Sequence, residues 1–316
     1  MPPSDKMTAR LGFGCASLGS RISPADAEAA LTRAYDAGIA WFDVAPSYGD
    51  GQAEAILGRF ARKHRDRVTL CTKIGIEANV GGWKAAIRPL ARNIVAAFPA
   101  LRRYATRART VTKLPLDPDT IRQSAERSLA RLGTDRIDLL MLHDPIPGDV
   151  LREDIAEVMT ALIRSGKVAA LGVAGDMEAA RNAASRPDLY STIQLANNPF
   201  APNADADFIE AWRADGKRVV THSALGAHGA LAELSARLAS DSALRRRFDD
   251  AGYAGPTQAA DFLTDYALST NPGGVTLFSA ARPDHLAALV DRAHALPRDV
   301  HMLRALATEL SSRIDA

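Results

Sequence analysis

Asp43, Tyr48, Lys73 and His143 carry the side chains that proton transfer at a carbonyl oxygen requires. Each sits at the end of a short apolar run or in the loop after it. The segments are Trp41-Phe-Asp-Val-Ala-Pro-Ser-Tyr48-Gly49, Val68-Thr-Leu-Cys-Thr-Lys73 and Ile137-Asp-Leu-Leu-Met-Leu-His143-Asp144-Pro145. A phenol has an ordinary pKa of ~10 and gives up its proton readily only with help. A nearby ammonium favours the phenolate, which makes Lys73 the candidate helper. Lys73 and Asp43 each end an apolar strand, where a lone charge is costly to bury, so each accounts for the other as an ion pair. His143, facing the same pocket, would hydrogen-bond a substrate oxygen and orient it. Each residue alone also has a plainer reading: a loop tyrosine, a structural ion pair, a satisfied core histidine. The chemical reading needs all four in one place.

A closed barrel of parallel strands would put them there, because it collects the strand C-termini at one face. The chain alternates short β-like runs with longer helical patterns, the signature of βα units. Eight strands are expected at Leu11–Gly14, Ala40–Asp43, Val68–Thr72, Ile137–Leu142, Val168–Gly172, Thr192–Leu195, Arg218–Thr221 and Val275–Phe278. Helices fit between them at Pro24 to Gly38, Asp117 to Gly133, Asp154 to Ser165, Met177 to Ser185, Asp205 to Ala214, Thr257 to Ser269 and Pro283 to His294. Ser23 and Pro24 open the first helix, and Gly38 stops it. The expected architecture is an eight-stranded parallel (β/α)8 TIM barrel forming one domain over residues 1–316. A lid-like insertion at about 74–115 follows the third strand, and a second long loop runs from Ser223 to Pro256 after the seventh. Leu231 to Asp249 reads as one helix within that loop, and a last helix spans about 299–312.

At 316 residues, 47% apolar and 24% charged, the composition is that of an ordinary globular chain. No apolar run suits a signal peptide or a membrane helix. Cys15 and Cys71 are too few for a disulfide framework, so a cytoplasmic setting is expected. Between Ala78 and Pro115 there are eight Lys and Arg and no Asp or Glu; removing those eight from the total of +2 leaves the remainder at −6. No nucleic-acid motif accompanies the basic segment, so nucleic acid is not an expected partner; a solvated lid, a membrane-surface or partner contact, and a lid that attracts an anionic or polyhydroxylated small-molecule substrate are the readings left open. The sequence carries no signal for the oligomeric state.

Beyond chemistry and spacing, the chain resembles the aldo-keto reductase family from about Leu11 to about Leu289. The matching segments are Leu11-Gly-Phe-Gly, Phe42-Asp43-Val-Ala-Pro-Ser-Tyr48-Gly49, Glu54-Ala-Ile-Leu57-Gly58, Thr72-Lys73, and Ser128-Leu-Ala-Arg-Leu-Gly133 leading into Asp138-Leu-Leu-Met-Leu-His143. Gly172-Val173, Gln194, Ser223-Ala-Leu-Gly226 and Arg282-Pro283 match more weakly. The resemblance implies hydride transfer between a nicotinamide and an aldehyde, ketone or sugar lactol carbon. Tyr48 would be the general acid in reduction and the general base in oxidation. It further implies NADP(H), with NAD(H) as the alternative, held by Gln194, Asn198, His222, Ser223, Leu225, Gly226 and Arg282. Arg282, at a helix start, would pair with the 2′-phosphate that only NADP carries; a solvated first-turn arginine is the plainer reading. His143-Asp144-Pro145 hints at the family's sugar dehydrogenase branches. Two departures stand out. Ala174-Gly175 replaces the usual Ser-Asn pair that holds the carboxamide, and His222 stands where a tyrosine commonly stacks on the nicotinamide. A cofactor-binding regulatory subunit with little turnover is therefore the competing reading. A metal-dependent barrel hydrolase is disfavoured, since no His-x-His pair follows an early strand.

Overall fold

The computed structural model describes residues 10–78, 111–200, 206–226, 229–295 and 299–312. Eight parallel strands close into a barrel: β1 (Leu11–Gly14), β2 (Trp41–Asp43), β3 (Thr69–Ile74), β6 (Leu139–His143), β7 (Leu171–Ala174), β8 (Thr192–Ala196), β9 (Arg218–His222) and β10 (Val275–Phe278). Around the barrel the order is β1-β10-β9-β8-β7-β6-β3-β2. All eight expected strands are present, but β3, β6, β7, β8 and β9 extend one or two residues further toward their C-termini than expected. The expected starts of β6 and β7 survive as a single bridge, Ile137 to Val168. Lys73 and His143 thereby lie within strands. Two short strands, β4 (Ile76–Ala78) and β5 (Val111–Lys113), were not expected; they pair antiparallel at the base of the insertion. The basic segment between them falls outside the described residues, apart from its exposed end at Lys113.

The helices between strands follow from local chemistry. In α1 (Pro24–Asp36), the Ser23 hydroxyl accepts from the Asp26 amide at 3.2 Å. Asp117 caps the helix α3 (Pro118–Leu132) the same way at 2.9 Å, and Gly133 ends it with φ 63°. Between these lies α2 (Ala53–Ala61), which the sequence reading omitted because it has neither a side-chain cap nor an early proline. Gly58 lets α2 approach α3 closely: a Cβ there would sit 2.3 Å from the Leu132 carbonyl oxygen. Next come α4 (Glu153–Arg164), α5 (Met177–Ala184) and α6 (Ala206–Ala214). The single helix expected over Leu231–Asp249 is two: α7 (Ala230–Ser240) and α8 (Ser242–Asp250). Asp241 breaks the run. Its backbone is extended, and its side chain accepts from the amides of Ala243 and Leu244, both at 2.9 Å, so capping wins over helical periodicity. Finally, α9 (Gln258–Ser269), α10 (Pro283–His294) and α11 (Val300–Ser312) close the chain's described part.

The two-residue period of a strand decides what faces the barrel interior. Trp41, Cys71, Leu139, Met141, Ala174, Val220, Val275 and Leu277 form one inner cluster. Their neighbours Phe42, Leu70, Leu140, Val173, Val219 and Phe278 join the outer core beneath the helices. Stepping two residues along each strand from the inner set brings Asp43, Lys73, His143 and His222 into the uppermost interior layer. A separate apolar cluster joins α7, α8, α9 and α11 beside the barrel.

Candidate active site

Asp43 ends β2 and Lys73 is the penultimate residue of β3, with Asp43 paired to Cys71 across the two strands. Both side chains are almost fully buried, and they form an ion pair between Lys73 Nζ and Asp43 Oδ1. Lys73 Nζ also donates to the Tyr48 hydroxyl at 3.3 Å and to the Val44 carbonyl at 3.4 Å. Tyr48 reaches this position because it opens a tight turn, Tyr48–Gly51, just beyond β2. The turn needs Gly49: its φ is 57°, and a Cβ would lie 1.6 Å from the Leu18 carbonyl oxygen. His143 ends β6, and its ring stands edge-on to the Tyr48 ring, with centroids 6.0 Å apart at 86°. The structure therefore gathers the four expected residues at one mouth of the barrel.

The electrostatics follow from burial. Desolvation alone would push the Lys73 ammonium down, but the Asp43 carboxylate and the Tyr48 phenol pull it the other way, and its pKa ends above the ordinary lysine value. Lys73 thus stays charged across working pH. Burial raises the Tyr48 phenol, with Lys73 opposing that rise and Asp43 adding to it. His143 is lowered to about 3 by burial first, then by the nearby Lys73, His222 and Lys113. It is a neutral imidazole, and its Nδ1 is buried without a partner among the described residues. A neutral ring can donate one hydrogen bond to a substrate oxygen but cannot serve as a cationic acid. Burial and Asp43 push the Cys15 and Cys71 thiols well up, so neither is a nucleophile.

The residues expected at the cofactor end are more dispersed. Gln194, in β8, is buried and donates from Nε2 to Asp43 Oδ2 at 2.9 Å. Asn198 is turned to bracing: it donates to the Ser223 carbonyl and accepts from the Phe200 amide, both at 2.9 Å. His222 ends β9, and its Nδ1 lies 2.6 Å from the Ser223 hydroxyl. Leu225 is half-buried, while Gly226 is exposed with open space where a Cβ would be. Arg282 caps α10 and is 69% exposed; its guanidinium forks onto Asp284 at 3.1 and 2.7 Å, which draws the Asp284 carboxyl down to about 2. Ala174 and Gly175 offer no polar side chain, and their backbone serves neighbours: Ala174 O accepts from Asp144 N at 2.7 Å and Gly175 N donates to Gln194 O at 3.2 Å.

Two features had no reading from the sequence. Glu54 of α2, almost fully buried, accepts from Thr72 Oγ1 at 2.7 Å and from Arg131 Nε at 2.6 Å. Thr72 immediately precedes Lys73, so this network fixes β3 from its outer side. The signal available was Glu54 at the head of the family-like segment Glu54-Ala-Ile-Leu57-Gly58. In addition, the non-glycine residues with positive φ among those described are Asp50, Asp144 and Ser223. Each lies within two residues of Tyr48, His143 or His222, so backbone strain gathers at the mouth, as it does at functional sites.

The His143 environment has a measurable consequence. Its folded pKa is about 3, against an ordinary ~6.5 expected in the unfolded chain. As pH falls through that window the unfolded chain takes the proton first, so stability attributable to His143 is lost by at most ~1.4 kcal/mol per pH unit. His143→Gln should flatten the fall of unfolding free energy between about pH 6 and 4 relative to the wild type, as read by denaturant titration. Equal slopes would show that His143 is not held neutral.

A model of the aldo/keto reductase family matches residues 10–303. Among curated proteins, a 6-dehydroglucose reductase from Agrobacterium fabrum is 31% identical over 223 residues, 66% of this chain and 67% of that protein. The aldo-keto reductase YhdN of Bacillus subtilis is 35% identical over 170 residues, 52% of this chain and 42% of that one. A D-threo-aldose 1-dehydrogenase from a Pseudomonas species is 33% identical over 193 residues, 59% of this chain and 56% of that one. The chain thus spans between 42% and 67% of the length of these relatives. Among solved structures, an aldo-keto reductase from Klebsiella pneumoniae in complex with NADPH superposes with a TM-score of 0.67 at 22% identity, covering 95% of this chain and 90% of the other. A glycerol dehydrogenase from Gluconobacter oxydans gives 0.71 at 20% identity, covering 96% and 91%. At these identities the structural likeness is one of fold. The family match runs through the whole barrel, including the strands and the turn that carry Asp43, Tyr48, Lys73 and His143, and this chain belongs to the aldo/keto reductase family.

Proposed function

We propose that this chain is an NADP-dependent oxidoreductase acting on an aldehyde, ketone or sugar lactol, with Tyr48 as proton donor in reduction and proton acceptor in oxidation. The observation that carries the reading is the hydrogen bond from Lys73 Nζ to the Tyr48 hydroxyl, 3.3 Å long, made by an ammonium that Asp43 keeps charged. Burial makes the phenol a weak acid; the adjacent cation stabilises the phenolate that remains once the proton has left. His143, neutral and edge-on to Tyr48, is placed to hold the same substrate oxygen. A nicotinamide dinucleotide, when bound, would supply or accept the hydride at the carbon.

The residues fit such a cofactor at its phosphate end. The N-cap residue of α10, Arg282, makes no side-chain bond to the first-turn amides and stands exposed beside them. Arg33 of α1 donates to the Ala281 carbonyl at 2.8 Å and braces the turn that presents them. The NADPH complex of the Klebsiella relative supports the choice of NADP. The names of the Agrobacterium and Pseudomonas relatives support sugars and their oxidised forms among the substrates.

The test is nicotinamide absorbance with NADPH or NADP over a panel of aldehydes, ketones and free sugars. Tyr48→Phe should cut turnover by about 100-fold or more while NADPH binding stays near that of the wild type. Retention of more than about a tenth of the wild-type rate would remove Tyr48 from the acid's role. Arg282→Ala should weaken NADPH binding several-fold and leave NADH binding nearly unchanged, since only the former carries the extra phosphate. Equal losses for both would make Arg282 a structural cap of α10.

A further inference from the structure

We propose that Gln194 is a positioning residue of the tetrad: its amide fixes the Asp43 carboxylate, and through it the aim of the Lys73 ammonium at the Tyr48 oxygen. This rests on the carbonyl chemistry proposed above. In the barrel order β2 and β8 stand opposite one another, four strands apart in either direction. No backbone pairing therefore holds Asp43 to Gln194. The contact is made entirely by side chains reaching across the interior, between residues 151 apart in sequence. Each of the two carboxylate oxygens has its own partner: Oδ1 takes Lys73 and Oδ2 takes Gln194 Nε2 at 2.9 Å. An ionised carboxylate only accepts, so it dictates which end of the amide faces it. Asp43 and Gln194 are each 2% exposed, so water is a poor substitute for either bond. Without Gln194 the carboxylate is free to turn about its last bond, and Lys73, with Val44 O and Tyr48 as its other partners, turns with it.

The charged and titratable groups near this contact include Asp43 on β2, Tyr48 in the turn after it, Cys71 and Lys73 on β3, Lys113 on β5, His143 on β6 with Asp144 after it, and His222 on β9, with Cys15 after β1. Lys73 is the cation among them that meets Asp43 directly. A carboxyl placed at position 194 would face Asp43 at hydrogen-bond distance in a buried setting. Both effects hold it protonated to higher pH than an ordinary glutamate. Protonated, its O–H can donate to Asp43 Oδ2 in place of the amide; ionised, it repels Asp43 and competes for Lys73.

The experiment compares the wild type with Gln194→Leu and Gln194→Glu, using full-length protein, saturating NADPH and one aldehyde the wild type reduces. The readouts are kcat from about pH 5 to 9 and the Kd for NADPH by fluorescence. Gln194→Leu should lower kcat roughly tenfold or more, while the NADPH Kd moves less than about threefold. Gln194→Glu should approach the wild-type kcat at the acid end, and its ratio to wild type should fall as pH rises. If Gln194→Leu does not fold, the pH course of Gln194→Glu decides alone. A pH-independent ratio, or a kcat near that of the wild type with NADPH binding weakened tenfold, would overturn the proposal and leave Gln194 as a cofactor contact. A wild type that turns over no carbonyl compound with NADPH would overturn the functional reading as well, and so the two failures are distinguishable.

Discussion

The buried ion pair between Lys73 and Asp43 is the constraint around which the mouth of this barrel is arranged. Two opposite charges taken out of water cost several kcal/mol each unless they are matched closely and their remaining groups are hydrogen-bonded. Here both conditions hold. Asp43 is bound on both oxygens, and Lys73 donates to Asp43, Val44 and Tyr48. The third of these donations falls on a phenol, and the proposed acid–base role rests on that contact. The neutral state of His143 follows from the same source, because burial and the Lys73 charge both oppose a second cation beside it.

The rest of the fold can be seen as supplying that pair with neighbours. Strand parity points Asp43 and Lys73 inward on adjacent strands, while Thr72 between Cys71 and Lys73 points outward to Glu54 and α2. Gly49 lets the chain turn tightly after β2 and bring Tyr48 back over the ammonium. The cofactor end is less committed. Arg282 is engaged with Asp284, Asn198 with loop backbone, and Ala174 and Gly175 contribute no polar side chain. The proposed proton-transfer residues are thus tied together by buried side-chain bonds, and those expected at the cofactor end by exposed or backbone contacts.

Much of this was legible in the sequence because buried charge is conspicuous there. A lysine and an aspartate at the ends of apolar runs demand each other, and eight such runs alternating with capped helices imply the barrel that joins them. The Gln194 to Asp43 bond was not legible, since periodicity gives a residue's face but not its partner across a lumen. The helix α2 was missed because Gln52 provides no capping hydrogen bond, and the break at Asp241 because its cap lies inside an unbroken helical pattern. Strands β4 and β5, each three residues long and separated by the insertion, carry too few positions for a period to show.

In the proposed mechanism the Lys73 ammonium governs proton exchange at Tyr48. The most direct measurement is the pH dependence of kcat for alcohol oxidation in the wild type and in Lys73→Met, with protein folding checked by circular dichroism. Burial already raises the phenol, and Lys73 is what opposes that rise. With Tyr48 as the proton acceptor in oxidation, removing the cation should move the rising limb of the profile to higher pH and lower the rate below it. An unchanged profile in a folded variant would remove Lys73 from that role.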